Sequence, residues 1–295
     1  MTAGLGWFGF ALLSAACTAC AAIIEKRALR DAHSIDFAVA LSAIVGIASA
    51  GILVAIPFPP VPLRLIAGLI PMTAAAALAY FYATRAIRHL PISVASPLLL
   101  LSPVLTTICA YILLGEELGR AQFIGIAVLM TGLYVFETRH LRAWREVYDG
   151  LTSGFARFAL LAVSLYGFTS LFDRVALGWW HVPPLQYVAL AQIGIACWML
   201  VIAHVAERRS MADVVSSLGR AWVLIVFVAG LSILYRLLQS HAAALAPIGL
   251  VVAVKHSSAF FTVVVGGSFF KESGLLRKAA GSAIMVAGLA LIALS

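Results

Sequence analysis

Residues 91–132 read PISVASPLLLLSPVLTTICAYILLGEELGRAQFIGIAVLMTG, and residues 247–288 read PIGLVVAVKHSSAFFTVVVGGSFFKESGLLRKAAGSAIMVAG. Laid over each other at an offset of 156, Pro91 meets Pro247, Ser102 meets Ser258, Thr106 meets Thr262, Glu116 meets Glu272, Gly125 meets Gly281 and Gly132 meets Gly288. Nearer the N-terminus the offset is 148: Phe10-Ala11-Leu12-Leu13 recurs as Phe158-Ala159-Leu160-Leu161, Glu25 meets Asp173, Lys26 meets Arg174 and His33 meets His181. A change of eight residues in one loop separates the two registers. Coincidence of Ala and Leu is expected in an apolar chain. Ordered coincidence of Pro, Glu, Gly and His is not, so the chain reads as a duplication.

The duplicated unit is built for lipid. Of 295 residues 63% are hydrophobic and 11% charged, whereas a soluble domain is about a quarter charged. A compact soluble fold has to cover itself with polar groups, and this chain lacks them. The same numbers exclude a disordered chain. The net charge of +8 forms no long basic run or tail, so nucleic acid is not an expected partner. Cys17, Cys20, Cys109 and Cys197 all lie in apolar stretches and read as small helix residues, with no metal or disulfide role.

A helix needs about 20 apolar residues to cross the hydrocarbon. Ten runs qualify: 5–24, 36–57, 65–87, 92–114, 119–137, 155–177, 184–206, 221–243, 248–269 and 277–294. Charge or proline punctuates them, as at Glu25-Lys26-Arg27, Pro57 to Pro62, Glu116-Glu117 and Lys271-Glu272. Bare backbone polar groups are intolerable in lipid, so these runs are helices, and barrel strands would be shorter and alternating. The first run is too long for a typical signal peptide and no basic residue precedes it, so it is expected to stay in the membrane.

The expected fold is an all-α membrane protein of ten transmembrane helices. A first repeat covers 1–140, a connecting loop 141–154 and a second repeat 155–295. Five helices per repeat is an odd number, so the second copy enters the membrane upside down. Two inverted five-helix repeats around a central cavity are an architecture of secondary transporters, and alternating access follows from it.

The run Ala79 to Ala86, Pro91, Ser102-Pro103, Leu114-Gly115-Glu116-Glu117-Leu118, Gly125 and Gly132 resembles the EamA-type repeat of the drug/metabolite transporter superfamily. The second half resembles it from about Phe158, with Phe270-Lys271-Glu272, Gly281 and Gly288 as the closing motif and Ala259 where the first half has Pro103. The resemblance implies a ten-helix carrier of a small metabolite, not an enzyme, with its site between the halves and a bacterial inner membrane as its setting. Small multidrug exporters of that superfamily hold a mid-membrane Glu on the first helix. Here that stretch reads Leu12-Leu13-Ser14-Ala15-Ala16, which disfavours a cationic-drug/proton antiporter unless Glu25 or Asp173 faces an aqueous cavity.

Ionisable residues inside spans are functional candidates by default. All twelve carboxylates read as loop or span-end residues, but two cations lie deep. Arg236 is seven residues before the end of the eighth span and Lys255 seven after the start of the ninth, about 10 Å in from the same face. With no deep carboxylate expected, a bound anion would partner them; snorkelling to the interface is the structural alternative. Lys255 aligns with Leu99, so the cation belongs to one half only. Ser258 and Thr262 share its stripe, and Ser232, Gln239 and Ser240 share that of Arg236. Lys255-His256 also resembles the Lys-Arg pair with which phosphate-sugar translocators grip a phosphate. Tyr80, Tyr82, Tyr166 and Tyr235 offer flat apolar faces with a hydroxyl, suited to a mixed polar–apolar metabolite.

Glu116 and Glu272 read as caps or salt bridges, and Trp179-Trp180 as an interfacial belt. The glycines at 125, 132, 281 and 288 suit close helix approach, between the halves or in a homodimer. Basic loops follow the odd-numbered spans, which the positive-inside rule makes cytoplasmic. Ten-helix members of the superfamily carry both termini inside, the opposite orientation. The expected function is a secondary transporter of a small solute bearing a carboxylate or phosphate, amino-acid-like among the options. A lipid or polyprenyl-phosphate flippase shares the anion logic. A membrane transferase would need a catalytic cluster, which His33 to Asp36 and His140 to Glu146 do not supply.

Overall fold

The computed structural model describes residues 3–28, 34–89, 101–137, 156–207, 214, 219, 222–258, 261 and 275–294. These form α1 (Ala3–Ala28), α2 (Ser34–Ala55), α3 (Leu63–His89), α4 (Ser102–Leu114), α5 (Arg120–Glu137), α6 (Ala156–Arg174), α7 (Pro184–Glu207), α8 (Trp222–Leu245), α9 (Ile248–His256) and α10 (Leu275–Leu294). A π-helical segment, Val175–Trp179, prolongs α6. The connecting loop 141–154, Leu99, Thr262 and Glu272 lie outside the described residues.

Among the described residues there are six helices long and apolar enough to cross a membrane: α1, α2, α3, α6 with its π segment, α7 and α8. The apolar parts of α4, α5 and α10 are shorter. Proline ends α2, since residues 57–62 contain four prolines that cannot donate to a helical ladder. That loop is pinned to the other half, because buried Gln186 on α7 donates through Nε2 to the Pro59 carbonyl at 2.8 Å.

Helices of the two halves pack antiparallel. On α1 and α8, Phe10 lies beside His241 and the Ser14 hydroxyl donates to the Tyr235 carbonyl. On α3 and α6, Gly68 meets Phe172 while Tyr82 stacks on Phe158. On α5 and α10, Gly125 meets Gly288 and Ile292, while Gly132 meets Gly281 and Met285. Replacing each helix by the one five places later turns α1–α8 into α6–α3, α3–α7 into α8–α2 and α4–α6 into α9–α1. The pairs α2–α7, α4–α9 and α5–α10 map onto themselves. These pairs make the most extensive contacts, so the halves use the same partners.

The α5–α10 seam is backbone against backbone. A Cβ on Gly132 would sit 2.6 Å from the Met285 nitrogen, and one on Gly288 2.5 Å from the Leu129 nitrogen. Lipid tails are as apolar as the helices, so close van der Waals fit replaces the hydrophobic drive of water. Of the two uses open to the glycines, approach between the halves is the one observed. Away from the seams the helices turn large apolar side chains outward, with Val54 90% and Leu63 80% exposed.

Candidate functional site

The turn of α8 that carries Tyr235, Arg236 and Gln239 is fixed from behind. Ser14, fully buried on α1, holds the Tyr235 carbonyl at 2.8 Å. The Arg236 side chain reaches to α6, where its guanidinium meets both carboxylate oxygens of Asp173 at 3.4 and 3.5 Å. Tyr187, fully buried on α7, donates its hydroxyl to Asp173 Oδ1 at 2.5 Å. Asp173 is itself 3% exposed.

This corrects the sequence reading of the carboxylates. Asp173 stood four residues from the end of an expected span at 177. The π segment carries the span on to Trp179, with Asp173 six residues inside it. Arg236 therefore has a protein carboxylate as partner. π-Helical turns often mark functional positions, and this one starts two residues after Asp173.

Lys255 on α9 places Nζ 5.5 Å from the Tyr235 ring centroid, a cation–π contact. It lies within electrostatic reach of Arg236 and Asp173. Among the described residues no carboxylate forms an ion pair with it. Two cations and one carboxylate leave one positive charge on this wall. Gln239, one turn beyond Tyr235, is buried with its Oε1 unbonded, and the Ser240 hydroxyl beside it is also unbonded. His256 follows Lys255 within its field, and Ser258 is half-buried three residues on.

A second cluster shares Tyr235. Glu25 on α1, Tyr80 on α3, Tyr166 on α6 and Tyr235 lie within electrostatic reach of one another. Four helices, two from each half, thus bring polar groups to one region. Tyr82 is engaged elsewhere, stacked on Phe158 with centroids 5.6 Å apart. Two residues along a helix turn a side chain by about 200°, so Tyr80 and Tyr82 face opposite ways and the sequence had no ground for grouping them. Sequence alone passes over Tyr187 and names Glu25 and Asp173 only as acids for an aqueous cavity to reach, outside its substrate-binding set. Their signal was present in part, because Glu25 and Asp173 are equivalents in the repeat.

Beside the site, Arg174 and Glu116 fasten a corner. Gly115 adopts φ 64°, a left-handed turn that glycine takes freely, and ends α4. The Glu116 carboxylate then pairs with Arg174 Nε at 2.5 Å and accepts the Ile248 N–H at 3.0 Å. It caps the start of α9, as read from sequence. Arg174 donates to the Ala243 and Ala244 carbonyls at the end of α8. Neighbouring residues thus divide the work: Asp173 holds Arg236, and Arg174 holds the α8–α9 corner.

A separate open groove of about 420 Å³ lies between α3 and α7, lined by Ile66, Leu69, Ile70, Trp198 and Val201 among others. Its one hydroxyl, on Thr73, is bonded to the Leu69 carbonyl. The groove is apolar and apart from the charged cluster.

Over residues 5–138 the chain matches the EamA-like transporter family. A solved structure described only as "Crystal structure of protein" is similar with a TM-score of 0.73 at 18% identity, covering 100% of this chain and 99% of that one. At that identity the likeness concerns the fold. No curated protein matches.

Proposed function

We propose, from the match of residues 5–138 to the EamA-like transporter family, that the chain is a secondary transporter of a small organic solute bearing a carboxylate or phosphate, amino-acid-like among the candidates. The solute binds between two inverted repeats, 1–140 and 155–295, that open alternately in the inner membrane of a bacterium. The antiparallel pairing of α5 with α10 and the shared packing partners of the halves support the inversion. The observation that carries the solute's charge is Lys255, a cation on Tyr235 with no carboxylate of its own among the described residues. An anion held there meets Tyr faces for its apolar body, one turn from the buried Gln239 whose Oε1 carries no hydrogen bond.

The test is counterflow in proteoliposomes with L-tyrosine, L-glutamate and glycerol 3-phosphate. Lys255→Met is expected to abolish exchange while the protein stays monodisperse. Unchanged exchange removes Lys255 from the site. The apolar groove between α3 and α7 favours a second reading, a lipid-linked phosphate whose tail stays in the bilayer. Flipping of a labelled polyprenyl phosphate, with no counterflow of the soluble anions, would select it.

A further inference from the structure

We propose that Asp173 is a proton-binding site and that the transporter moves one proton together with its anion. This rests on the function proposed above and assigns its coupling. The carboxylate has two unequal partners. Tyr187 holds it at 2.5 Å, whereas Arg236 stands off at 3.4 and 3.5 Å. Charge-assisted N–H···O bonds are about 2.7–2.9 Å long, so the guanidinium is near but not locked. Asp173 can lose Arg236 and keep its place.

The groups that face it are few. Tyr187 comes from α7, Arg236 and Tyr235 from α8, and Lys255 from α9. On α6 itself Tyr166 belongs to the Glu25 cluster and Arg174 is taken by Glu116. From α3, Tyr80 joins that same cluster and Arg64 lies over the Trp180 ring. Residues 102–114 of α4 contain no charged side chain.

The buried pair dictates what an arriving anion must do. If the anion took Arg236 and left Asp173 ionised, two anions would share this wall and Asp173 would lose its ion pair, keeping only Lys255 within electrostatic reach. Breaking a buried pair in that way is strongly destabilising. A proton removes the problem. It passes from water to a carboxylate oxygen of Asp173, forming one O–H bond. The ionic contact with Arg236 breaks, and the cargo's carboxylate or phosphate replaces it, beside Lys255. No other bond changes. For a monoanion the wall carries the same net charge loaded as empty, so both forms meet the same electrostatic barrier on turning over. On the far side the anion leaves, Asp173 releases its proton to that compartment, and Arg236 returns.

The experiment uses the full chain in proteoliposomes loaded with a pH-sensitive dye, with L-tyrosine, L-glutamate and glycerol 3-phosphate as probes. An inwardly directed proton gradient of one unit is expected to drive accumulation of a transported probe by up to roughly tenfold, the limit for one proton per cargo, with matching acidification inside. Asp173→Asn is expected to abolish the accumulation and flatten the pH profile of counterflow. Counterflow in the wild type without proton movement overturns the coupling and leaves the transporter reading standing. Accumulation that survives in Asp173→Asn overturns the assignment to Asp173. If no probe moves, the underlying reading falls and the coupling with it. Proton movement is read on the wild type, so a variant that fails to fold does not blunt the test.

Discussion

The α5–α10 seam and the α6–α8–α9 wall both join helices across the molecule, yet they are made of opposite materials. The seam is apolar throughout: Gly125, Gly132 and Gly288 let backbones touch, with Leu129, Met285 and Ile292 buried beside them. The wall has long polar side chains, Asp173, Arg236, Lys255 and Tyr187, holding helices through charge and hydroxyl. A glycine seam is satisfied in one arrangement, and any added atom is a clash. A charged wall can be satisfied in more than one way, because a proton or an anion substitutes for a partner. On the function proposed above, the seam is the rigid part and the wall the place of exchange.

The largest effect on stability is expected from stranding a charge. Arg236→Met leaves Asp173 buried without its cation, a loss of up to about 3–5 kcal/mol while the carboxylate stays ionised. Adding Asp173→Leu to that variant is expected to recover most of the loss, since an apolar pair of similar volume tolerates burial better than a lone charge. Thermal unfolding of both variants in detergent is the measurement. Equal losses would mean that the pair is worth no more than its packing.

The seam is expected to follow closely. Gly132→Val places atoms within the Met285 backbone, which cannot step aside as a side chain would. The expected loss is about 3 kcal/mol, the upper end for overpacking, seen as a lower melting temperature. The same change at Gly51, where an added Cβ meets nothing within 4 Å, is the control. If both glycines respond alike, the seam has no special status.

How legible was this contrast from sequence? The seam was nearly complete there. Glycines repeating every seven residues, and at the same places in both halves, announce a close helix approach without any knowledge of the partner. Lys255 and Arg236 were also visible, because a cation in an apolar run stands out as either a ligand-binding or a snorkelling residue. Asp173 was not, since the charged residues Asp173 and Arg174 beside a Trp pair imitate the end of a span. Helix length depends on a π segment that no periodicity marks. Tyr82 stacks on Phe158, away from the Tyr80 cluster, a separation that reading the tyrosines by type and not by angle does not reveal. Tyr187 escaped because an aromatic in an apolar helix resembles any core residue until its hydroxyl finds a carboxylate.

Between seam and wall lies the Glu116 corner, where a smaller effect is expected. Glu116→Ala removes the cap of α9 and the partner of Arg174 together. A lost cap is worth about 1 kcal/mol and a partly exposed ion pair up to about another, so a drop near 2 kcal/mol is the expectation. Arg174→Gln in the same background should add little if the two act as one unit. Additive losses would show that Arg174 serves the α8 carbonyls independently.

The smallest effect on stability is expected at Lys255, the residue to which the proposed function gives the solute's charge. Lys255 is partly buried, holds no carboxylate among the described residues and touches the Tyr235 face alone among the contacts described for it. Lys255→Met keeps the chain length and the apolar stem. It forgoes a cation–π contact of about 0.5–2 kcal/mol but also spares the desolvation of an ammonium. The two nearly offset, so the melting temperature should stay within the scatter of surface variants, about 0.5 kcal/mol. Counterflow should nevertheless disappear. A residue held only for structure would behave in the opposite way, with a clear loss of stability and transport that scales with the folded fraction. Measuring melting and counterflow on the same preparation separates the two.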